Sequence, residues 1–476
     1  MGETMPNWLL QREYLTPDRP ALIYKDQQWT FQQLAADVKK LQSYLPVKNN
    51  ERVAVLIDNT PQSVILIHAL QLSGAETVFL NYKLSDQELA YIVEDSEVTK
   101  LFYLNKFEEK VQVFQDIELV KIESIFDGEP INENQQTAFD LYDTCSIMYT
   151  SGTTGKPKGV MQTYGNHWWS ANASALNLGL LANDSWLCTV PIFHISGLSI
   201  LFRSVIYGIP VYIMEKFDEE PINQLLQSGK ITIMSAVATM LMRMVEQLGN
   251  ESYHQNFRCM LLGGSSAYAS LLTRCKEKQI PVFQTYGMTE TASQVVTLSP
   301  EYSLKKLGSA GKALFPNQIK IMDPDEQQIG EIWIKGPTIT KGYLHNRAKD
   351  SFVDGWFRSG DLGYLDEDGF LYIVDRRSDL IVSGGENIYP AEIESALLEH
   401  PDIIEAGVTG MEDPLWGKVP YAFIVTKTRL QEEKIQAFCE QRLAKYKIPK
   451  RFIPIDELPK NASNKIMRKE LIKYIR

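Results

Sequence analysis

Short apolar, β-branched runs at residues 52–57, 76–80, 187–190, 210–214, 232–235 and 258–262 alternate with longer stretches of helical periodicity through the first two-thirds of the chain. That alternation predicts α/β layers on mostly parallel sheets. Thr30-Phe31-Gln32-Gln33 puts a hydroxyl before one helix and Gln three residues on, the pattern of a capping box. From about Gly308 the texture shifts to short strands punctuated by Gly and Pro, at 330–336 and 369–374, which predicts a small β-rich subdomain. Beyond the charged run Asp375-Arg376-Arg377-Ser378-Asp379, helices at 390–400 and 431–443 with strands at 406–408 and 421–425 predict a compact α+β domain. The expected organisation is an N-terminal domain over 1–375, including the β-rich part, and a small mobile C-terminal domain over 376–476, with the hinge near 375–379.

Length supports more than one core, since 476 residues exceed an ordinary single domain. A hydrophobic content of 44% with 22% charged residues is that of a globular enzyme. The net charge of -11 argues against a general nucleic-acid binder, yet from Gln441 to Arg476 eleven Lys or Arg face three acidic residues, which suits a small polyanionic ligand. Cys145, Cys188, Cys259, Cys275 and Cys439 are odd in number and lack C-x-x-C spacing, so they read as reduced buried thiols of a cytoplasmic protein. The N-terminus lacks the order of a signal peptide, and no apolar stretch is unbroken enough to span a membrane.

The chemistry concentrates first in the run 149–159, which holds Thr150, Ser151, Thr153 and Thr154, three glycines including Gly152 and Gly155, and Lys156 and Lys158. Hydroxyls and ammonium groups donate to phosphate oxygens, and glycines let backbone amides approach an anion. It is not a Walker loop: two residues separate Gly152 from Gly155-Lys156 where that motif needs four, and Pro157 blocks a helix. A second cluster is Gln284-Thr285-Tyr286-Gly287-Met288-Thr289-Glu290, read as a strand-to-loop turn with a ring to stack on a base, a hydroxyl for phosphate and a carboxylate for Mg2+. Gly264, Ser265 and Ser266 end a strand where α/β sheets bind ligands. Asp361, after a glycine turn, and Arg376 suit ribose and phosphate, and Lys465 lies in a polar loop near the chain end.

In this order the motifs resemble the adenylate-forming superfamily of acyl-CoA synthetases, luciferases and peptide-synthetase adenylation domains, over essentially the whole chain. The resemblance implies ATP, Mg2+ and CoA as cofactor and co-substrates. It places 150–158 on the β- and γ-phosphates, Tyr286 against adenine beside 264–266, Thr289 at the α-phosphate, Glu290 and Thr150 at the metal, and Asp361 and Arg376 on the ribose. It makes Lys465, Thr289 and His194 the catalytic candidates. It puts the hinge at Ser378 and gives Ser383, Gly384 and Gly385 to the thiol arm of CoA. The acyl pocket is expected along 190–198 and 234–239, with His194, Ser196, Ser235 and Gly287 facing the acid, and Trp168 and Trp169 in the core.

The run 162–169 and the segment 384–394 are most similar to the o-succinylbenzoyl-CoA synthetase branch of bacterial menaquinone synthesis, which implies an aromatic dicarboxylic acid as substrate. Ser196, Arg203 or a neighbouring amide would hold the carboxylate that does not react. A 4-coumarate-like or medium-chain acyl-CoA ligase shares the machinery but wants a longer or greasier pocket; a carrier-protein adenylation module or silent binder would bind ATP without CoA-dependent AMP release. The oligomeric state stays open, a homo-oligomer included. Three departures stand out: Asn464 and Asp375 replace usual glycines, and Ser359 a usual threonine. Asn tolerates positive φ and Ser keeps the hydroxyl, whereas Asp375 has no local explanation.

Overall fold

A computed structural model of the chain describes residues 3–475 apart from 128, 132–134, 151–156, 265–266, 268, 377–378, 384–385, 414–415, 429–430, 444 and 462–464. It comprises two compact units, Met1–Gln318 with Ile334–Phe357, and Ile319–Trp333 with Arg358–Arg476.

Two sheets organise the first unit. One runs in the order Gly342–Tyr343, Lys158–Thr163, Thr144–Thr150, Glu76–Phe79, Arg52–Leu56, Lys100–Tyr103, Glu118–Lys121. Its last five strands are mutually parallel, and Lys158–Thr163 folds back antiparallel on Thr144–Thr150. The other carries the parallel strands Val282–Met288, Cys259–Gly263, Ile233–Val237, Trp186–Cys188 and Val211–Ile213 side by side. Helices Ile195–Tyr207, Glu219–Gln227, Ala238–Leu248 and Ala269–Glu277 connect them. These strands are short and apolar on both faces because helices cover both sides. Leu187, Met234, Met260 and Leu262 are buried in one core, and Trp186, Cys188, Ile233, Cys259 and Leu261 in another.

The helix Phe31–Tyr44 begins with the expected capping box, Thr30 accepting from Gln33 N while Gln33 reaches back to Thr30 N. The six expected apolar runs from 52–57 to 258–262 lie within two residues of observed strands, whereas the parallel strands Lys100–Tyr103, Glu118–Lys121 and Thr144–Thr150 fall outside the expected runs. Trp168 packs against the core as expected, but Trp169, on the helix Tyr164–Leu178, is 37% exposed rather than in the core.

In the second unit residues 361–365, the end of the strand Trp356–Leu365, pair antiparallel with Leu371–Arg376. A five-stranded sheet follows, in which the long hairpin Ile403–Asp413 and Gly417–Thr426 is flanked by Ile381–Ser383, Glu386–Ile388 and Arg451–Pro454. The helix Pro390–Leu398, with Pro at its first position, and the helix Glu432–Glu440 cover it, burying Ile393, Leu397, Ile435 and Cys439 against Ile381, Val408 and Ile424.

All five cysteines are free and buried. Burial pushes the Cys145, Cys188 and Cys275 thiols up to about 12, so they are unreactive. Among the described residues no helix is long and apolar enough to cross a membrane.

Candidate active site

Three strand-to-helix connections and one strand-to-strand turn lie at the carboxyl edge of adjacent parallel strands, where open α/β sheets bind ligands. Trp186–Cys188 leads into the loop bearing Val190 to Ser196, Ile233–Val237 carries Ser235, Cys259–Gly263 ends at Gly264, and Val282–Met288 carries the Tyr286 motif. This strand runs through Gln284, Thr285, Tyr286, Gly287 and Met288, further than a strand-to-loop turn, because Ser293–Leu298 pairs with it residue by residue to Met288. At the bulge after Tyr286 a Cβ on Gly287 would lie 2.1 Å from Ser293 O, so only glycine fits. Thr285 Oγ1 donates to Leu262 O at 3.2 Å, tying the motif to the Gly264 strand.

His194 caps the helix Ile195–Tyr207 with its backbone carbonyl, which accepts from Gly197 N and Leu198 N at 3.0 Å each. Its half-buried ring lies 4.6 Å from that of Phe193. Ser196 is exposed on the first turn. A residue that local reading misses fixes this loop: buried Asn59 donates to Val190 O and accepts from Ile192 N, both at 3.0 Å.

The expected phosphate run connects a hairpin. Thr150 ends one strand and Lys158 opens the next, directly opposite it in register. Ser151, Gly152, Thr153, Thr154, Gly155 and Lys156 lie outside the described residues, as do Ser265 and Ser266. On the same sheet face as Lys158, Gln162 accepts from Ser146 Oγ at 2.7 Å and donates to Thr289 O at 2.5 Å. The hairpin is thereby joined to the Thr289–Thr291 turn. Glu290 on that turn accepts from Tyr343 Oη at 3.0 Å.

The helix Ile195–Tyr207 carries a buried cation. Arg203 is 2% exposed, its guanidinium 5.5 Å from the Trp186 ring centre, and Nη2 donates to Ser170 Oγ at 3.2 Å. Among the described residues no carboxylate pairs with it, Nε has no partner, and burial lowers its pKa. Trp186 Nε1 in turn donates to Ser235 Oγ at 3.1 Å. The neighbouring His167, bonded to Ser146 at 2.8 Å, is pushed down to about 3 by burial and then by Arg203, so it stays neutral.

The second unit holds its own candidates. Asp361, buried, and Arg376 are cross-strand partners in register. Ser359 Oγ donates to Ile332 O at 2.7 Å and accepts from Asp361 N at 3.1 Å, so this serine does what a threonine would. Asp375 accepts from Ala391 N and from Arg468 Nη1, both at 2.8 Å. Arg468 also binds Asp379 at 2.9 Å and Glu394 at 2.8 and 2.6 Å. Lys465 is exposed at the base of a turn, its N–H donating to Asn461 Oδ1 at 2.9 Å and its carbonyl accepting from Asn461 N at 2.8 Å. Ser383 is buried. Gly384, Gly385, Ser378 and Asn464 lie outside the described residues.

Residues 11–344 match the AMP-binding enzyme family and residues 392–465 the AMP-binding enzyme C-terminal domain. The chain is 52% identical over 472 residues to a 2-succinylbenzoate–CoA ligase of Listeria monocytogenes, covering 98% of this chain and 99% of that one. A second, of a Geobacillus species, is 50% identical over 487 residues, covering 100% and 98%. Among solved structures, o-succinylbenzoate CoA synthetase of Bacillus subtilis with the acyl-adenylate intermediate superposes with a TM-score of 0.94 at 46% identity, covering 98% of each chain. The same enzyme with ATP and magnesium gives 0.93 at 46% identity, covering 99% of this chain and 100% of that one.

Proposed function

The chain belongs to the AMP-binding enzyme family, and from that premise we propose that it is an AMP-forming carboxylate–CoA ligase acting on o-succinylbenzoate in menaquinone biosynthesis, in the cytoplasm. The acid's carboxylate attacks the α-phosphorus of ATP, pyrophosphate leaves, and the CoA thiol then displaces AMP to give o-succinylbenzoyl-CoA. The observation that carries the choice of acid is Arg203. A buried guanidinium without a carboxylate partner is costly to a protein that makes no use of it, and a substrate with two carboxylates supplies the missing charge, directly or through water.

Around the triphosphate, Thr150 and Lys158 with the residues between them hold the β- and γ-phosphates, and Tyr286 stacks on adenine beside Gly264. Asp361 and Arg376 take the ribose. Thr289, held through Gln162, meets the α-phosphate. Lys465 neutralises the attacking carboxylate and the α-phosphate, an electrostatic role that needs no protein nucleophile. His194 and Ser235 line the acyl pocket. The C-terminal domain turns about a hinge at Ser378 and brings 383–385 to the site for thiol attack. Among the described residues no three His, Cys, Asp or Glu side chains converge as a metal cage. One carboxylate, Glu290, together with substrate phosphates is the donor set that Mg2+ favours. Bound there, Mg2+ would offset the charge of the leaving pyrophosphate.

Pyrophosphate release across a panel of carboxylic acids, with and without CoA, tests this. o-Succinylbenzoate should give the highest turnover, with AMP release accelerated by CoA. Inert o-succinylbenzoate beside an active fatty or cinnamic acid would remove the substrate assignment.

A further inference from the structure

Tyr343, the donor to Glu290, also lies beside Lys158. It sits on the two-residue strand Gly342–Tyr343, paired opposite Val160, and is 7% exposed. Lys158 lies two residues before Val160 and so on the same sheet face, and its ammonium is 5.7 Å from the centre of the Tyr343 ring. The phenol donates to Glu290 Oε1 at 3.0 Å. The same segment holds Glu290 by its backbone, since Thr340 N donates to Glu290 O at 2.8 Å while Thr340 Oγ1 donates to Met161 O on the Lys158 strand. A buried phenol needs an acceptor, and here it takes a charged one at the edge of the phosphate site, which strengthens the bond and fixes the carboxylate's orientation.

We propose that Tyr343 is a positioning residue for adenylation: its hydroxyl orients the Glu290 carboxylate for Mg2+ while its ring face carries Lys158, setting the metal ligand and the phosphate-binding lysine in one frame. This rests on the assignment of Glu290 to the metal made above. Phenylalanine would preserve the ring, its packing against Phe352 and the face under Lys158, and would lose only the orienting bond. Leucine would lose both contacts.

The test is Mn2+ affinity by electron paramagnetic resonance in the presence of a non-hydrolysable ATP analogue, alongside calorimetric binding of the metal-free analogue and thermal melting, on the full chain. Tyr343→Phe should weaken Mn2+ about ten-fold, the loss of one hydrogen bond to a charged group. Metal-free nucleotide affinity and melting temperature should stay near wild type. Tyr343→Leu should weaken both metal and metal-free nucleotide. Unchanged Mn2+ affinity in Tyr343→Phe, or an equal loss of metal-bound and metal-free affinity that follows a drop in melting temperature, overturns the proposal. Glu290→Gln separates it from its premise. If that variant loses Mn2+ while Tyr343→Phe does not, only the role of Tyr343 falls. If Glu290→Gln binds Mn2+ as well as wild type, the metal assignment falls and this inference with it.

Discussion

Replacing Arg203 with Met should move stability and substrate binding in opposite directions. The side chain keeps an unbranched apolar stem, ends short of the guanidinium and loses its charge. In the folded protein the guanidinium makes one 3.2 Å hydrogen bond to Ser170 and one contact with the Trp186 face. Those contribute roughly 1 kcal/mol and 1–2 kcal/mol. Against them stands the desolvation of a charge with no carboxylate beside it among the described residues, several kcal/mol in a protein interior. Arg203→Met should therefore melt no lower than wild type. Binding should suffer: stranding a buried carboxylate costs about 3–5 kcal/mol, so KM for o-succinylbenzoate should rise roughly a hundred- to a few-thousand-fold. KM for ATP should hold, and a monocarboxylate analogue lacking the non-reacting group should lose little. The assay is pyrophosphate release with each acid, beside a melting curve. A variant that melts much lower while its KM for o-succinylbenzoate is unchanged would refute the reasoning, because Arg203 would then be a structural residue satisfied in the folded state.

Lys465→Ala should abolish adenylate formation while sparing thioester formation from supplied acyl-adenylate; equal loss of both half-reactions would contradict the division of labour. Arg468→Leu leaves Asp375, Asp379 and Glu394 facing one another and should cost about 3–5 kcal/mol, read as early proteolysis or melting of the C-terminal region. Gly287→Ala should weaken nucleotide binding and activity severely, since its Cβ meets Ser293 O at 2.1 Å; near-normal ATP affinity would contradict that. His68 is buried, and its pKa is pushed down from 6.5 to about 4 by burial, partly opposed by its bond to Gln71. The unfolded chain then binds the proton more readily, so stability should fall as pH drops from about 6.5 to 4, by about 3 kcal/mol from this group. His68→Leu should flatten that part of the melting-temperature profile, and an unchanged slope would count against the buried neutral imidazole.

Local patterns made much of the fold legible. Parallel strands such as Cys259–Gly263 read as continuous apolar runs because both faces are covered, and Thr30 with Gln33 marked a helix start through hydrogen bonds within three residues. What stayed hidden depends on distant partners. Asp375 replaces a glycine for no local reason, and its explanation, Arg468, lies 93 residues away. The strand through Tyr286 extends to Met288 because of a pairing with Ser293–Leu298 that the motif 284–290 does not announce. Nothing in Lys341-Gly342-Tyr343 signals that its phenol meets Glu290, since sheet register alone brings them together. Asn59 escaped notice likewise, its role being to hold a loop 131 residues further on.

In the proposed reaction the acid is activated by a bond from its carboxylate oxygen to the AMP phosphorus. Oxygen tracing tests it most directly: o-succinylbenzoate carrying heavy oxygen in both carboxylates is turned over with ATP and CoA, and the products are weighed by mass spectrometry. AMP should carry one heavy oxygen from the acid, and pyrophosphate none. Unlabelled AMP, or label in pyrophosphate or in free phosphate, would contradict it.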